Sequence, residues 1–448
     1  MKLTAELPVE KLEVGMYVVQ LDRPWLETPF LFQGFYIRDK DEIDELRAHC
    51  ERVHVSRESL PLTEPAPKPV PQTNSTVSTA NEANKTSKTV IVEKKPFSLR
   101  SLFGLGDSKQ LEDDENEEEE FLQTNVFYKS KTSLGEETKA ATGIHKDAIV
   151  SVDSVMQNLK KSGSLDVDRL KSTVTPMVDS VLRNPAALAC LVRMQKKDNY
   201  LYHHSLASSV WATILGRQLG LSRDDLNVIA LGAMLLDVGK TQLPDEILAK
   251  PGKLNESEQK LMRMHVQFGL DIMEKSHSPD SRVREMVAHH HERYNGTGYP
   301  AGLKGNDIPV FGRIAGIVDA YDAMITQRPY AEQQSSYDAL RKLRVLSDVE
   351  FQAEIVDQFT RAIGAFPTGT LVEMNTGEIA IVTKQNQIRR LRPEVMVIMG
   401  SDRKLFEQFR VMNLNDETVT PEGGHSLWIE RGLPPGEYGI DPTEFYLN

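Results

Sequence analysis

Six residues of two ligand types, His204, Asp237, His265, His290, His291 and Asp319, are spread over separate segments about 25 to 35 residues apart. Imidazole and carboxylate together suit Fe, Mn or Zn. Phosphodiester hydrolysis at neutral pH needs a deprotonated water, neutralised nonbridging oxygens and help for the leaving oxygen, and two divalent ions roughly 3.5 to 4 Å apart supply all three. Seven of the eleven histidines fall between positions 203 and 291, where an even spread would put about two. Asp237 and Lys240 are the candidate catalytic pair; Lys240, one turn further on, can meet a phosphate on the same face. Arg313 and Arg328 can add charge-assisted hydrogen bonds to a substrate. Taken singly each position has a plainer reading, since a buried His or Asp on a helix is most often a satisfied core residue. The loop Gly296-Thr297-Gly298-Tyr299-Pro300 taken alone is an ordinary turn.

The elements that must position these groups are helical. Apolar residues recur at helical spacing through Ile149, Val152, Val155, Met156 and Leu159, then Val178, Val181 and Leu182, then Leu206, Val210, Ile214 and Leu215. The spacing predicts a mainly α domain over 136–365, with each polar signature interrupting or ending a helix, as in a bundle that builds an inward-facing site. Before it, residues 1–58 alternate short apolar runs with Gly and Pro, followed by a helix over Asp41 to Cys50 and a strand at Val53 to Val55, which predicts a small β-rich domain. Between the two, residues 59–135 are rich in Pro, Ser, Thr, Lys and Asn and carry the acidic run from Glu112 to Glu120. That stretch has too little apolar surface to offset ordering entropy and reads as a disordered tether. After it, residues 366–448 predict a small β tail with a hairpin, Leu371 to Met374 and Ile379 to Val382 about a turn at Asn375-Thr376-Gly377, and a strand at Val395 to Met399.

Composition bounds the function from the other side. At 448 residues the chain has room for two or three domains. A formal charge of −12 argues against a general nucleic-acid or anionic-membrane binder. No apolar run approaches the roughly 18 to 20 residues of a membrane span, and the first residues lack a secretory signal, so a cytoplasmic location is expected. Cys50 and Cys190 alone make a disulfide framework improbable.

The segments 200–210 (YLYHHSLASSV), 232–240 (GAMLLDVGK), 250–265 (KPGKLNESEQKLMRMH), 290–300 (HHERYNGTGYP), Ile308-Pro309 with Arg313, and 319–330 (DAYDAMITQRPY) together resemble the HD-GYP family, metal-dependent phosphodiesterases that typically hydrolyse cyclic di-GMP. The first sixty residues also resemble a small domain of unknown function that often precedes such modules. The resemblance implies an HD-type helical bundle, a divalent metal cofactor of one or two ions, cyclic di-GMP as ligand, and pGpG or GMP as product. It implies that His204 and Asp319 serve a first metal, His265, His290 and His291 a second, with Asp237 bridging. It implies that Lys240 and Arg328 hold substrate phosphate and that Tyr299 lies in the loop lining the substrate. Some members carry a third-metal ligand upstream, and that position falls at Tyr200.

The departures from the family pattern are Leu236 where the His of the HD pair belongs, Ala331 where a basic residue usually follows Arg-Pro-Tyr, and Asn295 where an acidic residue usually precedes the Gly. Leu236 removes one ligand from the first metal and leaves the second set complete. Three readings follow: a phosphodiesterase with an impaired first metal site; an inactive module that binds cyclic di-GMP or a signalling partner such as a diguanylate cyclase through the Gly296 to Pro300 loop; or, more weakly, a hydrolase of a different phosphoester.

Overall fold

The computed structural model describes residues 4–13, 16–23, 28, 30, 35–37, 40–56, 126–193, 200–276, 280–327, 332–386, 389–415, 427–440 and 442–445. The expected tether lies outside the described residues as far as position 125, as do Phe32, His277, Arg328 and Ala331. The chain divides into two compact units, Met1–Ser98 and Leu99–Asn448.

The first unit carries β1 (Thr4–Pro8), β2 (Tyr17–Leu21), β3 (Phe35–Tyr36), α1 (Lys40–His49) and β4 (Arg52–Ser56). Its strands form one antiparallel sheet in the order β1-β4-β2-β3. Val18, Leu21, Ile37, Leu46, Val53 and Val55 are buried and make its core. Asp22 ties the end of β2 to the start of β4, its carboxylate accepting the backbone N–H groups of Glu51 and Arg52 at 2.6 and 2.8 Å.

The second unit opens upstream of the expected helical boundary. Val126 and Lys131 donate backbone N–H groups to Gly220 and Arg183, and the Tyr128 hydroxyl donates to the Leu221 carbonyl at 2.9 Å, so the residues from 126 on already pack against the helices. A capping box at Ser133 and Glu136 then starts α2 (Leu134–Ser162), which Gly163 ends in the left-handed conformation. There follow α3 (Val167–Arg183), α4 (Pro185–Arg193), α5 (Tyr200–Leu219), α6 (Arg223–Leu235), a 3-10 turn at Val238–Gln242, α7 (Asp245–Leu248), α8 (Glu256–Arg263), α9 (His265–Lys275), α10 (Ser281–His289), α11 (Val310–Ile325), α12 (Ser336–Val345) and α13 (Ala353–Ile363). The three expected periodic stretches fall on α2, α3 and α5.

Helices α5, α11 and α13 meet at an aromatic core. Trp211 packs edge-on to Tyr321 at 5.4 Å between ring centroids, and Tyr321 edge-on to Phe359 at 5.0 Å. All three are fully buried, so the helices that carry His204 and Asp319 are fixed against each other by apolar packing.

The chain closes in a five-stranded antiparallel sheet, β5 (Leu371–Met374), β6 (Ile379–Lys384), β7 (Glu394–Met399), β8 (Leu405–Asn413) and β9 (Ile429–Gly432), in the order β8-β7-β6-β5-β9. The hairpin and third strand stand where the alternation put them; β8 and β9 were not anticipated. Leu371, Ile379, Ile381 and Ile398 form the centre of its core. Arg193, the last residue of α4, donates to the Thr370 hydroxyl and the Thr368 carbonyl and ties this sheet to the helices. No helix among the described residues is long and apolar enough to cross a membrane.

Candidate metal centre

Helix α6 stops at Leu235, and Asp237 takes a non-helical backbone conformation at the head of the 3-10 turn. That turn brings residue i+3 back over residue i, and the Lys240 ammonium donates to Asp237 Oδ2. Position 239 must be glycine: an added Cβ would collide with the His265 carbonyl oxygen and the Gly269 nitrogen. The missing side chain lets the first turn of α9 lie directly on the Asp237 turn. His265 opens α9, His290 caps the C-terminal end of α10 with His291 following, and Asp319 and Asp322 lie one turn apart on one face of α11.

Two groups of ligand atoms result, and they share a carboxylate. Asp237, His265, His290 and His291 form one; His204, Asp237 and Asp319 form the other; within each, all ligand atoms lie within 4.8 Å of one another. Asp237 Oδ1 lies 3.4 Å from His265 Nε2 and 4.0 Å from His290 Nε2, while Oδ2 lies 3.4 Å from His204 Nε2. Every one of the six residues is buried except His291, which is half-buried.

The chemistry of the four-residue group fits a cation. His265 Nδ1 is 2.7 Å from the Met262 carbonyl and His290 Nδ1 is 2.9 Å from the Val287 carbonyl. A ring nitrogen facing a carbonyl must carry the proton, so the Nε2 atoms are bare acceptors, and they face each other at 3.3 Å. Asp237 Oδ1 points among them, buried and without a hydrogen-bond partner. Lone pairs that converge with no proton between them are the arrangement a metal ion stabilises. Burial, with the neighbouring His265, drives the His290 imidazole down to about 4, and burial drives His265 and His291 down as well, so these rings are neutral ligands at pH 7.

The three-residue group is arranged differently. His204 Nδ1 meets Asp322 Oδ2 at 2.7 Å and Nε2 meets Asp319 Oδ1 at 3.1 Å. Burial alone would lower this imidazole, but the hydrogen bonds to Asp319 and Asp322 and the charge of Asp237 override it and hold it at about 9. Asp237 and Asp319 are in turn held below the usual carboxylate range, burial being outweighed by Lys240 and the histidines for Asp237 and by His204 and His291 for Asp319. Asp322 is itself braced by the indole N–H of Trp211 at 2.9 Å. Leu236, fully buried beside this group, brings no donor atom.

Tyr299 stands beside the four-residue group, its ring stacked on His291 at 4.6 Å and its backbone N–H bonded to the His291 carbonyl at 3.1 Å. Its loop is held by Glu292, which is buried and accepts the backbone N–H groups of Ala301, Gly302 and Leu303 at 2.8, 3.1 and 3.0 Å. Gly298 is needed because a Cβ there would strike the backbone of His291, Glu292 and Arg293. Asn295 shapes the same loop, accepting the N–H and hydroxyl of Thr297 on its side-chain oxygen.

Of the residues expected from sequence, the six ligands, Lys240 and Tyr299 come together. Arg313 takes another place: its guanidinium donates to Asn306 at 3.0 Å and Gln352 at 2.6 Å, binding the segment before α11 to the start of α13. Arg328 lies outside the described residues. The sequence reading passed over Asp322 and Glu292, although DAYDA places two carboxylates on one helical face and HHE sets one directly after the ligand pair.

A helical bundle whose inward histidines and aspartates form two edge-sharing ligand groups defines an HD-type domain. Residues 184–355 match the family model described as HD domain, residues 4–170 that of a domain of unknown function (DUF3391), and residues 371–420 that of a KOW domain associated with HD domain. The helical part of this chain thus matches the HD domain model, and its curated relatives are cyclic-dinucleotide phosphodiesterases. Over 400 residues the chain is 29% identical to the cyclic di-GMP phosphodiesterase PA4108 of Pseudomonas aeruginosa, covering 89% of this chain and 86% of that protein. It is 38% identical over 151 residues to the cyclic di-GMP phosphodiesterase response regulator RpfG of Xanthomonas campestris, covering 34% of this chain and 40% of that one. It is 34% identical over 155 residues to the 3'3'-cGAMP-specific phosphodiesterase 2 of Vibrio cholerae, covering 34% and 30%. The chain thus spans less than half of the latter two relatives.

Proposed function

We propose that this protein is a metal-dependent phosphodiesterase of cyclic dinucleotides, with cyclic di-GMP as substrate and pGpG or GMP as product. The observation that carries the reading is Asp237 with one oxygen in each ligand group, the Oδ1 oxygen buried without a hydrogen bond among bare histidine nitrogens. The similarity to PA4108 over most of both chains supports the substrate class. We assign His265, His290, His291 and Asp237 to one ion and His204, Asp319 and Asp237 to a second, weaker one.

Bound divalent ions supply the acidity that makes water a nucleophile at neutral pH and the charge that neutralises a phosphoryl group. The residues of the chain do the rest. Lys240, half-buried against Asp237, is placed to hold a nonbridging phosphate oxygen on the same side as the shared carboxylate. Asp322 and Trp211 fix the His204 ring, and the Met262 and Val287 carbonyls fix the tautomers of His265 and His290, so the rings are already oriented. Tyr299 and its Glu292-held loop wall the pocket beside His291. Leu236 lowers affinity in the three-residue group, and we place the enzyme's activity below that of a centre with the additional imidazole. A cytoplasmic location belongs to the same proposal and agrees with both cysteines being free.

The test is anaerobic incubation of the purified protein with Fe(II) or Mn(II) and cyclic di-GMP, followed by chromatography for pGpG and GMP. Product from the native chain and none from Asp237→Ala supports the reading. Nucleotide bound but not cleaved by the native chain would reassign it as a binding module, possible through the same loop and phosphate-binding side chains.

A further inference from the structure

Arg263, the last residue of α8, is exposed, and its guanidinium carbon sits 4.8 Å from the centre of the Tyr299 ring. Tyr299 stacks in turn on the ligand His291. Among the described residues no carboxylate pairs with Arg263, in contrast to Arg293 on the other side of the same loop, which lies 3.4 Å from Glu350 and over the Phe351 ring. The loop therefore lies beside one arginine paired with a carboxylate and one held over the Tyr299 ring, which itself stacks on His291.

From this arrangement we infer that Arg263 binds a substrate phosphate, and specifically the phosphate of the cyclic dinucleotide that is not being cleaved. A cyclic dinucleotide carries two phosphates, and only one can lie between the two ligand groups. The second must be carried out toward the rim, where it needs a cation. A guanidinium stacked on an aromatic ring keeps its edge N–H donors free, and that edge offers paired hydrogen bonds to two phosphate oxygens. The stack also limits the rotamers Arg263 must give up on binding. Arg263 is two residues from His265 on the turn joining α8 to α9, so the same backbone that places a metal ligand places this cation.

This inference rests on the cyclic dinucleotide reading above, and the experiment separates the two. Binding of a non-hydrolysable phosphorothioate analogue of cyclic di-GMP is measured calorimetrically on the full chain with Mn(II), for the native protein, Arg263→Gln and Arg263→Lys, alongside metal content per chain and melting temperature. The expected result is a Kd at least tenfold weaker for Arg263→Gln, only partial recovery for Arg263→Lys, which keeps the charge but not the paired hydrogen bonds, metal content unchanged in both, and a steeper salt dependence for the native chain than for the Gln variant. Arg263→Gln binding within twofold of the native protein would overturn the inference. So would Lys and Gln variants that bind equally weakly and melt together at a lower temperature, since that pattern belongs to a ring contact that only braces the loop. A native chain that binds no cyclic dinucleotide overturns the substrate reading itself, and this inference with it.

Discussion

The two halves of the metal centre share a carboxylate and little else. In the four-residue half, backbone carbonyls take the Nδ1 protons of His265 and His290, leaving the Nε2 lone pairs with nothing to bind but an incoming cation. In the three-residue half, His204 lies between the carboxylates of Asp319 and Asp322, and the ligands satisfy one another. The geometry leaves one half with bare lone pairs, while in the other His204 is held by two carboxylates that favour its protonated form. On the two-ion assignment proposed above, Leu236, which brings no donor atom, compounds a difference that the surrounding hydrogen bonds already set up.

The largest effect expected from breaking this contrast is at the shared residue. Asp237→Ala removes a ligand from both halves at once, and the loss of the ions' contribution, several kcal/mol, lowers hydrolysis at least about a thousandfold, checked by product chromatography. Next, His290→Ala strips the tight ion and lowers metal content by about one per chain, whereas Asp319→Ala leaves that ion in place; elemental analysis after gel filtration distinguishes them. Equal losses from both variants would mean that the halves are not unequal. Leu236→His supplies the absent donor and raises both metal stoichiometry and rate, by about 10- to 100-fold in affinity if it ligates as well as a supporting residue supports; an unchanged metal count would refute the assignment of weakness to this position.

A smaller effect follows from pH. His204 in the metal-free fold is held at about 9, above its ordinary 6.5, so a metal in the three-residue half competes with a proton. Occupancy of that half rises with pH and levels off above about 9. His290 is depressed to about 4, so occupancy of the four-residue half should not be limited by its protonation at pH 6 or above. For stability of the metal-free chain the signs oppose: His204 contributes fully below 6.5 and its contribution fades as pH rises to about 9, while the neutral burial of His290 costs stability as pH falls from 6.5 toward 4. Metal titrations at pH 6, 7.5 and 9 check the first statement, and melting curves with chelator the second.

Much of this centre could be read from the chain because its ligands come in short polar signatures at helix ends, where a break in apolar periodicity is visible. Asp322 escaped because it acts only through His204, and nothing local shows that an imidazole from α5 will reach it. Arg313 misled because its charge and its nearness in sequence to the signature are both real, while its partners Asn306 and Gln352 are set by tertiary packing. In the fold, the β5–β6 hairpin was plain from its turn and alternation. Strand β8 was hidden because it is an edge strand exposed on both faces, with Glu407, Gln408 and Arg410 diluting the pattern. Strand β1 is a short Thr-Ala-Glu-Leu-Pro run whose partner, β4, pairs Thr4 with Ser56 and Pro8 with Arg52, a pairing no local window contains.

Asp237 has one more consequence, which concerns the order in which ions arrive. A cation in the four-residue half withdraws charge from a carboxylate that the other half also depends on, so each ion lowers the chain's affinity for the next by the same factor in either direction. If both groups hold ions as proposed, loading is stepwise and anticooperative. Metal-limited cells would hold the protein with a single ion, and the ratio of singly to doubly loaded chains would follow free metal concentration over a wide range instead of switching sharply. A single shared side chain would in that case make the enzyme a graded reporter of metal supply as well as a consumer of nucleotide.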